Sequence, residues 1–404
     1  MSFNKDELLE ELKIVNGLET EGIRFRPEIF NEILNQDENL KAYHVCMDYS
    51  TDDTTGYAIP SEVRIGHGFG ASVMKNTRSS YSFEKFEDGI YVVKDNKKLS
   101  KISFPETRKY YKQFTSDGVS MRTVVQGGSL EYGEGVAFVT YSNECALLDK
   151  GHDCLFCNIN ATKRRFGDLE GHQWKYPKQI GETVKAAFDE GCDHFNITGG
   201  FVPERRELEY YLDVAEAIQN ETGLTDFNGT AVIGAPTDLE VLEQYKEAGY
   251  RTVAIHPEVW GKEFFNAICP GKAETGGGYE NYLKAIDYAL EVFGKGRVRT
   301  QFVAGLQPKE QVIDGLETLA AKGVVALALP WIPNIGSAYE GHRTPTEEWH
   351  WDLQYKNFEI LQRNGITYDQ LYDALPGRRV IQDLYRIERA VAGGELFEDK
   401  RKQK

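Results

Sequence analysis

From residue 136 onward, short apolar runs alternate with longer stretches in which apolar residues recur at helical spacing. The apolar runs predict β-strands, and the stretches between them predict amphipathic helices. The predicted strands are VAFVTYS (136–142), HFNITGG (194–200), GTAVIGAP (229–236), RTVAIHPEVW (251–260), RVRTQFVAGL (297–306) and VVALALPWIP (324–333). The predicted helices are 178–190, 204–221, 238–248, 279–293, 309–322 and 346–363. Because strands that alternate with helices form parallel sheets with right-handed crossovers, the pattern predicts an α/β fold, a partial (β/α)6 TIM-like barrel of six units rather than eight.

Outside this array the pattern is less regular. Residues 1–17 predict a helix with an apolar stripe, and strand-like runs at 89–95 and 122–128 lie among turns. The chain from residue 364 predicts further helices and ends in a charged tail. We therefore predict three regions, which are an N-terminal α+β accessory region (1–130), the barrel (131–345) and a C-terminal helical segment (346–404).

Charge narrows the range of partners. The chain has 63 acidic and 47 basic residues and a formal net charge of −16, which argues against binding nucleic-acid phosphates or anionic membranes. No apolar run reaches 18 residues, so no membrane span is expected. The N-terminus is acidic and amphipathic, unlike a signal peptide, and we expect a cytoplasmic protein.

Six cysteines are too few for a disulfide framework in a chain of this length. Three of them lie far apart in sequence and are expected to be small buried or pocket residues, namely Cys46, Cys192 and Cys269.

The other three cysteines lie together, directly after the first predicted strand. Cys145, Cys154 and Cys157 have the spacing C-x8-C-x2-C. Thiolates suit zinc and iron–sulfur clusters. Structural zinc sites usually have four protein ligands, whereas catalytic sites keep one position open. The residues alone therefore allow two interpretations, a structural zinc site completed by His152 or a distant histidine, and a catalytic centre with an open position.

More polar or conformationally special residues lie at the ends of the later predicted strands, where the chemistry of β/α barrels is placed. Gly199 and Gly200 end the second strand and allow close backbone approach or a tight turn. His256 and Glu258 share a face at the end of the fourth strand. Glu258 could bind nucleoside hydroxyls or form a salt bridge, and His256 could contact substrate or be a satisfied core histidine. Arg299 on the fifth strand could hold a carboxylate or form a barrel-interior salt bridge.

The cysteine loop, in which Phe156 directly precedes the third cysteine, resembles the cluster-binding loop of the radical S-adenosylmethionine (SAM) superfamily. The resemblance covers residues 136–340. It implies that Cys145, Cys154 and Cys157 bind three irons of a [4Fe–4S] cluster and that SAM chelates the fourth iron. The first gap has eight residues where the common family pattern has three. One cysteine-ligated centre is expected, since no second cysteine cluster occurs.

The resemblance also implies a SAM site at the strand ends. Gly199 and Gly200 stand where the family has a Gly-Gly-Glu motif that contacts the amino group, with Phe201 in place of the Glu and Glu204 three residues later. Glu258 corresponds to a family position that binds the ribose, and Arg299 is a candidate for the SAM carboxylate. The segment with Val303 resembles the apolar strand against adenine. The full set of expected cofactor-binding residues is Phe156, Asn158, Gly199, Gly200, Glu258, Arg299, Val303 and Pro330.

The function implied by this resemblance is reductive cleavage of SAM to a 5′-deoxyadenosyl radical, which abstracts hydrogen from a small-molecule substrate. A biotin-synthase-like, oxygen-sensitive enzyme with a flavodoxin- or ferredoxin-like electron donor would fit. The basic run at 162–165 would then be a docking face or an ordinary solvated surface. The alternative is a non-redox protein with a structural zinc site on a barrel scaffold.

Overall fold

The computed structural model describes residues 3–42, 59–60, 62–125, 135–142, 145–147, 151–159, 174–334, 336–375, 377 and 379–397. Its α-helices are α1 (Lys5–Glu21), α2 (Asn31–Gln36), α3 (Met121–Val124), α4 (Pro177–Asp189), α5 (Glu204–Thr222), α6 (Val241–Glu247), α7 (Lys262–Ile268), α8 (Pro270–Thr275), α9 (Gly278–Phe293), α10 (Lys309–Lys322), α11 (Glu347–Arg363), α12 (Tyr368–Ala374) and α13 (Val380–Val391). Its strands are β1 (Lys41–Ala42), β2 (Ile59–Pro60), β3 (Glu62–Ile65), β4 (Phe69–Ser72), β5 (Tyr81–Phe86), β6 (Gly89–Lys94), β7 (Lys97–Ser103), β8 (Val136–Thr140), β9 (His194–Thr198), β10 (Gly229–Ile233), β11 (Tyr250–Ile255), β12 (Val298–Ala304) and β13 (Val325–Pro330). In the described part of the chain, no helix combines the length and the apolar character needed to cross a membrane.

The six predicted strands form one sheet, in the order β13-β12-β11-β10-β9-β8. Every neighbouring pair in it is parallel. Helices connect successive strands, and each predicted helix of the array is present with small shifts at its ends. The prediction of a partial (β/α)6 barrel is therefore confirmed.

The two faces of this sheet are buried to different degrees. Outward-facing side chains are covered by helices, as shown by Phe195, which is fully buried beside Phe227 at a ring-centroid distance of 6.0 Å. Inward-facing side chains towards the carboxyl ends of the strands are only partly buried, including Val232, Gln301 and Val303. The barrel interior is therefore accessible from the carboxyl-terminal edge of the sheet, which we call the rim.

The opposite, amino-terminal end of the barrel is closed by α12. Thr230 Oγ1 donates to the carbonyl oxygen of Asp373 at 3.1 Å, and Arg297 forms a 2.6 Å ion pair with the Asp373 carboxylate. Arg299 Nη1 donates to the carbonyl oxygen of Ala374 at 3.0 Å. The predicted C-terminal helices thus seal the base of the barrel, which leaves the rim as the accessible end.

The edge strand β13 is capped by side chains of α11. Asn357 accepts a hydrogen bond from the backbone N–H of Ala328 at 2.9 Å and donates to the carbonyl of Ala326 at 2.9 Å. Gln354 Nε2 donates to the carbonyl of Ala328 at 2.5 Å. A buried strand edge needs such partners because unpaired backbone groups there would lose their hydrogen bonds to water.

The N-terminal extension is an α+β region, as predicted. Its five-stranded sheet has the order β4-β3-β7-β6-β5, with antiparallel neighbours. Asn16 Nδ2 donates to the carbonyl of Glu347 at 2.8 Å, at the start of α11, and Ser116 Oγ donates to Glu182 on α4 at 2.6 Å. Because α11 lies against β13 and α4 against β8, the extension contacts the helices at both ends of the barrel sheet.

One strand-like run of the extension is not a strand. Residues Met121–Val124 form the short helix α3, whereas the run at 122–128 was expected to be extended; residues 126–128 lie outside the described part. The backbone N–H groups of Thr123 and Val124 both donate to the carbonyl of Ser120, and Met121 and Val124 are buried. Tertiary packing therefore overrides the strand preference of the β-branched residues.

The amide of Asn357 provides a test of the edge cap. We expect Asn357→Leu to lower the free energy of unfolding by about 2 kcal/mol or more, because two buried backbone groups lose their partner. Urea denaturation measures this, with the exposed neighbour substitution Glu359→Ala as the control. An equal, small effect of both substitutions would contradict the role of Asn357.

Candidate active site

The cysteine loop lies at the rim, directly after β8. Cys154 is buried, and Cys145 and Cys157 are half-buried. The loop begins where Tyr141 N donates to the carbonyl of Thr198 at 2.9 Å, so that its start is tied to the end of the neighbouring strand β9. The parallel order of the sheet therefore brings the cysteine loop beside the Gly199–Gly200 turn.

Three separate segments hold the backbone of this loop. Ala146 N donates to the carbonyl of Phe201 at 2.9 Å, just after the glycine pair. Leu155 N donates to the carbonyl of Ile268 at 3.0 Å, and the Leu155 carbonyl accepts from Tyr339 N at 3.1 Å. The loop is thus fixed by residues that follow β9, β11 and β13, and its cysteines are positioned before any metal binds.

The spacing of the three thiols bears on the kind of metal centre. Tetrahedral zinc with Zn–S bonds of about 2.3 Å would bring its thiolates to about 3.8 Å from one another. In the described part of the chain, the three sulfur atoms do not all lie within 4.8 Å of one another. Among the described residues, the three thiols are therefore not arranged as a preformed site for a single zinc ion. His152, the suggested fourth zinc ligand, instead places Nδ1 2.8 Å from Glu274.

Cys269 joins the loop from the α7–α8 segment. Its thiol and that of Cys154 are hydrogen bonded, which lowers the pKa of Cys154 against the opposing effect of burial and raises that of Cys269. Burial raises the pKa of Cys157 to about 12. Cys269 and Cys192 are buried as predicted, while Cys46 lies outside the described residues.

A buried ion pair lies beside the cysteines. Lys272 Nζ is 2.5 Å from Glu258 Oε1 and also donates to the carbonyl of His256 at 3.0 Å. Burial alone would lower the pKa of Lys272, but Glu258 and the nearby thiols outweigh it, and the pKa lies well above its usual value. Lys272 is therefore a fixed cation at the rim, and it orients the Glu258 carboxylate.

The backbone at Glu258 is unusual. Its φ is +69°, in the left-handed region that non-glycine residues rarely occupy. Its carbonyl accepts from Val303 N at 2.7 Å, which extends the pairing of β11 with β12 up to the rim. Strained residues of this kind persist only where their surroundings hold them, and they are common at functional sites.

His256 lies two residues before Glu258 and is buried. Neither ring nitrogen has a hydrogen-bond partner among the described residues. Burial lowers the pKa of His256 well below its usual value, and the charges of Arg299 and Lys272 act in the same direction. The ring is therefore neutral, with one donor and one acceptor available.

The glycine pair is required by packing. A Cβ at Gly199 would lie 2.4 Å from the ring of Tyr141, so only glycine allows this approach of the two strand ends. Glu204 does not face the glycine pair; its carboxylate accepts from Thr237 N and Oγ1 at 2.8 Å and from Asp238 N at 3.1 Å. The described contacts of Glu204 therefore give it a structural role at the start of α5.

The other predicted cofactor-binding residues divide into two groups. Phe156 and Asn158 flank Cys157, and Val303 and Pro330 are partly buried at the rim ends of β12 and β13. Arg299 instead lies at the amino end of β12, where its bond to Ala374 directs the guanidinium to the barrel base. Arg299 therefore does not lie at the rim with the other residues that were predicted to bind SAM.

Two residues of the site, Cys269 and Lys272, were not recognised as functional in the sequence. They lie on helices α7 and α8, which interrupt the expected passage from the fourth strand to the helix at 279–293. A signal was present in Cys-Pro-Gly-Lys (269–272), since Pro270 starts α8 and Gly271 leaves no room for a Cβ, which would lie 2.1 Å from the carbonyl oxygen of His152.

Comparisons with known proteins show which sequences and folds this chain resembles. Residues 151–319 match the family model described as the radical SAM superfamily. The chain is 27% identical over 256 residues to bacteriochlorophyllide c C-7(1)-hydroxylase of Chlorobaculum limnaeum, a match that covers 58% of this chain and 61% of that protein. The chain therefore matches less than two thirds of this relative.

Solved structures show weaker likeness. Methylornithine synthase has 14% identity and a TM-score of 0.42, with 60% of this chain and 69% of that one covered. A maturase of the [FeFe]-hydrogenase has 14% identity and a TM-score of 0.44, covering 65% and 57%. Coproporphyrinogen III oxidase from Escherichia coli has 13% identity and a TM-score of 0.39, covering 64% and 60%. Because these TM-scores are low, the fold assignment depends on the strand order of the sheet and not on these structures.

The ion pair at the rim can be tested by matched substitutions. We expect Lys272→Met to lower the free energy of unfolding by about 3 kcal/mol, because Glu258 would remain buried without its partner. Lys262→Met removes the exposed 2.7 Å pair with Glu280 and should cost at most about 1 kcal/mol. Chemical denaturation of both variants measures the difference, and equal losses would show that the Lys272 pair is not effectively buried.

Proposed function

We propose that this chain, whose residues 151–319 match the radical SAM superfamily, is an enzyme that cleaves SAM reductively and removes a hydrogen atom from a small-molecule substrate. The observation that carries this proposal is the loop of Cys145, Cys154 and Cys157, held beside Glu258 at the rim of a six-stranded parallel sheet. Acidic charge and the accessible barrel interior support a small molecule rather than a nucleic acid as the substrate.

The donor set fits an iron–sulfur cluster. Three thiols offer three ligands and leave one position of a metal centre open for a further molecule. When bound, a [4Fe–4S] cluster would supply the electron for reductive cleavage of SAM to methionine and a 5′-deoxyadenosyl radical, the species that takes hydrogen from the substrate. The protein would contribute by holding the thiols in place through the backbone bonds to Phe201, Ile268 and Tyr339.

The residues at the strand ends suit a nucleoside. Glu258 uses Oε1 for Lys272, and its Oε2 accepts no hydrogen bond from the described residues, so that oxygen is available for ribose hydroxyls. Val303 next to it offers an apolar contact for adenine, and the Gly199–Gly200 turn brings backbone groups close to the cysteine loop. We place the SAM site between these three elements.

We also propose a flavodoxin- or ferredoxin-like electron donor. The basic run at 162–165, which would bind an acidic donor protein, lies outside the described residues.

The experiment that tests the proposal is anaerobic reconstitution with iron and sulfide, followed by dithionite and SAM, with 5′-deoxyadenosine measured by mass spectrometry. We expect 5′-deoxyadenosine from the wild-type protein and none from Cys154→Ala or Cys157→Ala. Cys192→Ala, at a buried cysteine outside the loop, is the matched control and should retain it. A colourless protein that carries zinc and no iron after reconstitution would contradict the proposal.

Glu258 can be tested separately from the cluster. We expect Glu258→Gln to weaken SAM binding about tenfold, since a neutral amide replaces the charged acceptor for ribose hydroxyls. Iron content and visible absorbance should stay at the wild-type level. Titration calorimetry under anaerobic conditions measures the affinity, and unchanged SAM binding would remove Glu258 from the site.

A further inference from the structure

The barrel interior below the rim contains polar side chains without partners. Asn196 on β9 is fully buried, and neither its amide nitrogen nor its amide oxygen has a hydrogen-bond partner among the described residues. The same is true of both ring nitrogens of His256, of Thr252 Oγ1 and of Arg299 Nε. Buried polar groups are nearly always satisfied, so a group of orphaned atoms in one space calls for a ligand or water that satisfies them.

Strand register shows that these side chains face the same space. Asn196 is the register partner of Thr230 on β10, and Thr230 is in turn the partner of Thr252 on β11. Register partners in parallel strands point to the same face of a sheet, and strands lie about 4.8 Å apart. Thr230 contacts α12 at the base of the barrel, so this face is the interior one.

Arg299 belongs to the same face. Its register partner on β11 is Ala254. Ala254 lies two residues from both Thr252 and His256, so all three side chains share one face of the strand. Phe302, three residues later on β12, points outward to Trp260 at a ring-centroid distance of 6.0 Å, which leaves Arg299 on the inward face. The charge of Arg299 also acts on the His256 ring. Three strands, β9, β11 and β12, thus direct unpartnered donors and acceptors to the interior face of the sheet.

The charge of this space is positive. Arg299 is 3% exposed, and in the described part of the chain its only hydrogen bond goes to the carbonyl of Ala374, with no acidic partner. The other nearby cation, Lys272, is already paired with Glu258. A buried guanidinium without an anion is costly, and a carboxylate is the anion that its planar donors fit best.

We propose that Arg299, His256 and Asn196 bind the carboxylate end of the substrate in the barrel interior, beneath the SAM site. This inference rests on the proposed function for the identity of the ligand as the substrate. It assigns Arg299 to the substrate and not to the carboxylate of SAM. Arg299 Nε donates to one carboxylate oxygen, His256 and the Asn196 amide nitrogen supply neutral donors, and the far end of the molecule extends towards the rim.

The test uses the cluster-loaded protein of 404 residues, labelled with ¹⁵N-arginine. The probe is butyrate, with butyramide as its uncharged counterpart of the same shape. We expect butyrate to shift the Arg299 Nε resonance in a saturable manner and butyramide to leave it in place. The resonance is identified by its loss in Arg299→Lys, and Arg297, which is paired with Asp373, serves as the internal control that does not respond.

Two variants test the residues. Arg299→Gln should weaken butyrate binding about tenfold or more, as expected for loss of a charge-assisted hydrogen bond. Asn196→Leu keeps the guanidinium and should weaken the same response several-fold, with the Arg299 resonance still visible. The wild-type comparison of butyrate with butyramide needs no variant, so the proposal is tested even if a variant does not fold.

SAM separates the two possible sources of the carboxylate. We expect SAM to leave the Arg299 resonance unchanged and butyrate to shift it in the SAM-loaded protein. If SAM shifts this resonance and competes with butyrate, the site holds the carboxylate of SAM, and the proposal is wrong. It is also wrong if butyrate has no effect, or if butyramide acts equally. Butyrate binding does not require cleavage of SAM. If butyrate shifts the Arg299 resonance but the reconstituted protein forms no 5′-deoxyadenosine, the proposed function is wrong and the carboxylate site still stands.

Discussion

The parallel alignment of six strands is the constraint on which the site depends. Because all strands run in the same direction, the loops that follow β8, β9, β11 and β13 meet at one rim. The cysteine loop is then held by backbone hydrogen bonds to Phe201, Ile268 and Tyr339, which come from three of those positions. The α12 helix closes the other end, so the rim is the accessible end of the interior, with the thiols beside it.

Charge at the rim is arranged around Lys272. Its ion pair with Glu258 holds a strained residue in place where the pairing of β11 with β12 reaches the rim. A buried pair of this kind is weak as a source of stability but effective in fixing orientation. The structure therefore combines a rigid set of thiols with an oriented carboxylate, the two features that binding a cluster and a nucleoside side by side requires.

Much of this arrangement could be predicted from periodicity. Six apolar runs that alternate with helical stretches predicted the barrel. The position of the cysteines directly after the first strand predicted that they lie at the carboxyl-terminal edge of the sheet. The helices α7 and α8 were not predicted, because segments of seven and six residues are too short to show a clear period, and so Lys272 and Cys269 were missed. Arg299 was expected near SAM from its residue type, but alternation fixes only the face of a strand and not the height along it, which depends on contacts such as that with Ala374.

The measurement that most directly tests this account is iron anomalous scattering from an anaerobically grown crystal of the protein with SAM. The account predicts a four-iron peak within bonding distance of Cys145, Cys154 and Cys157, with SAM between it and Glu258. A single metal ion at the cysteines, or iron bound elsewhere in the chain, would contradict it.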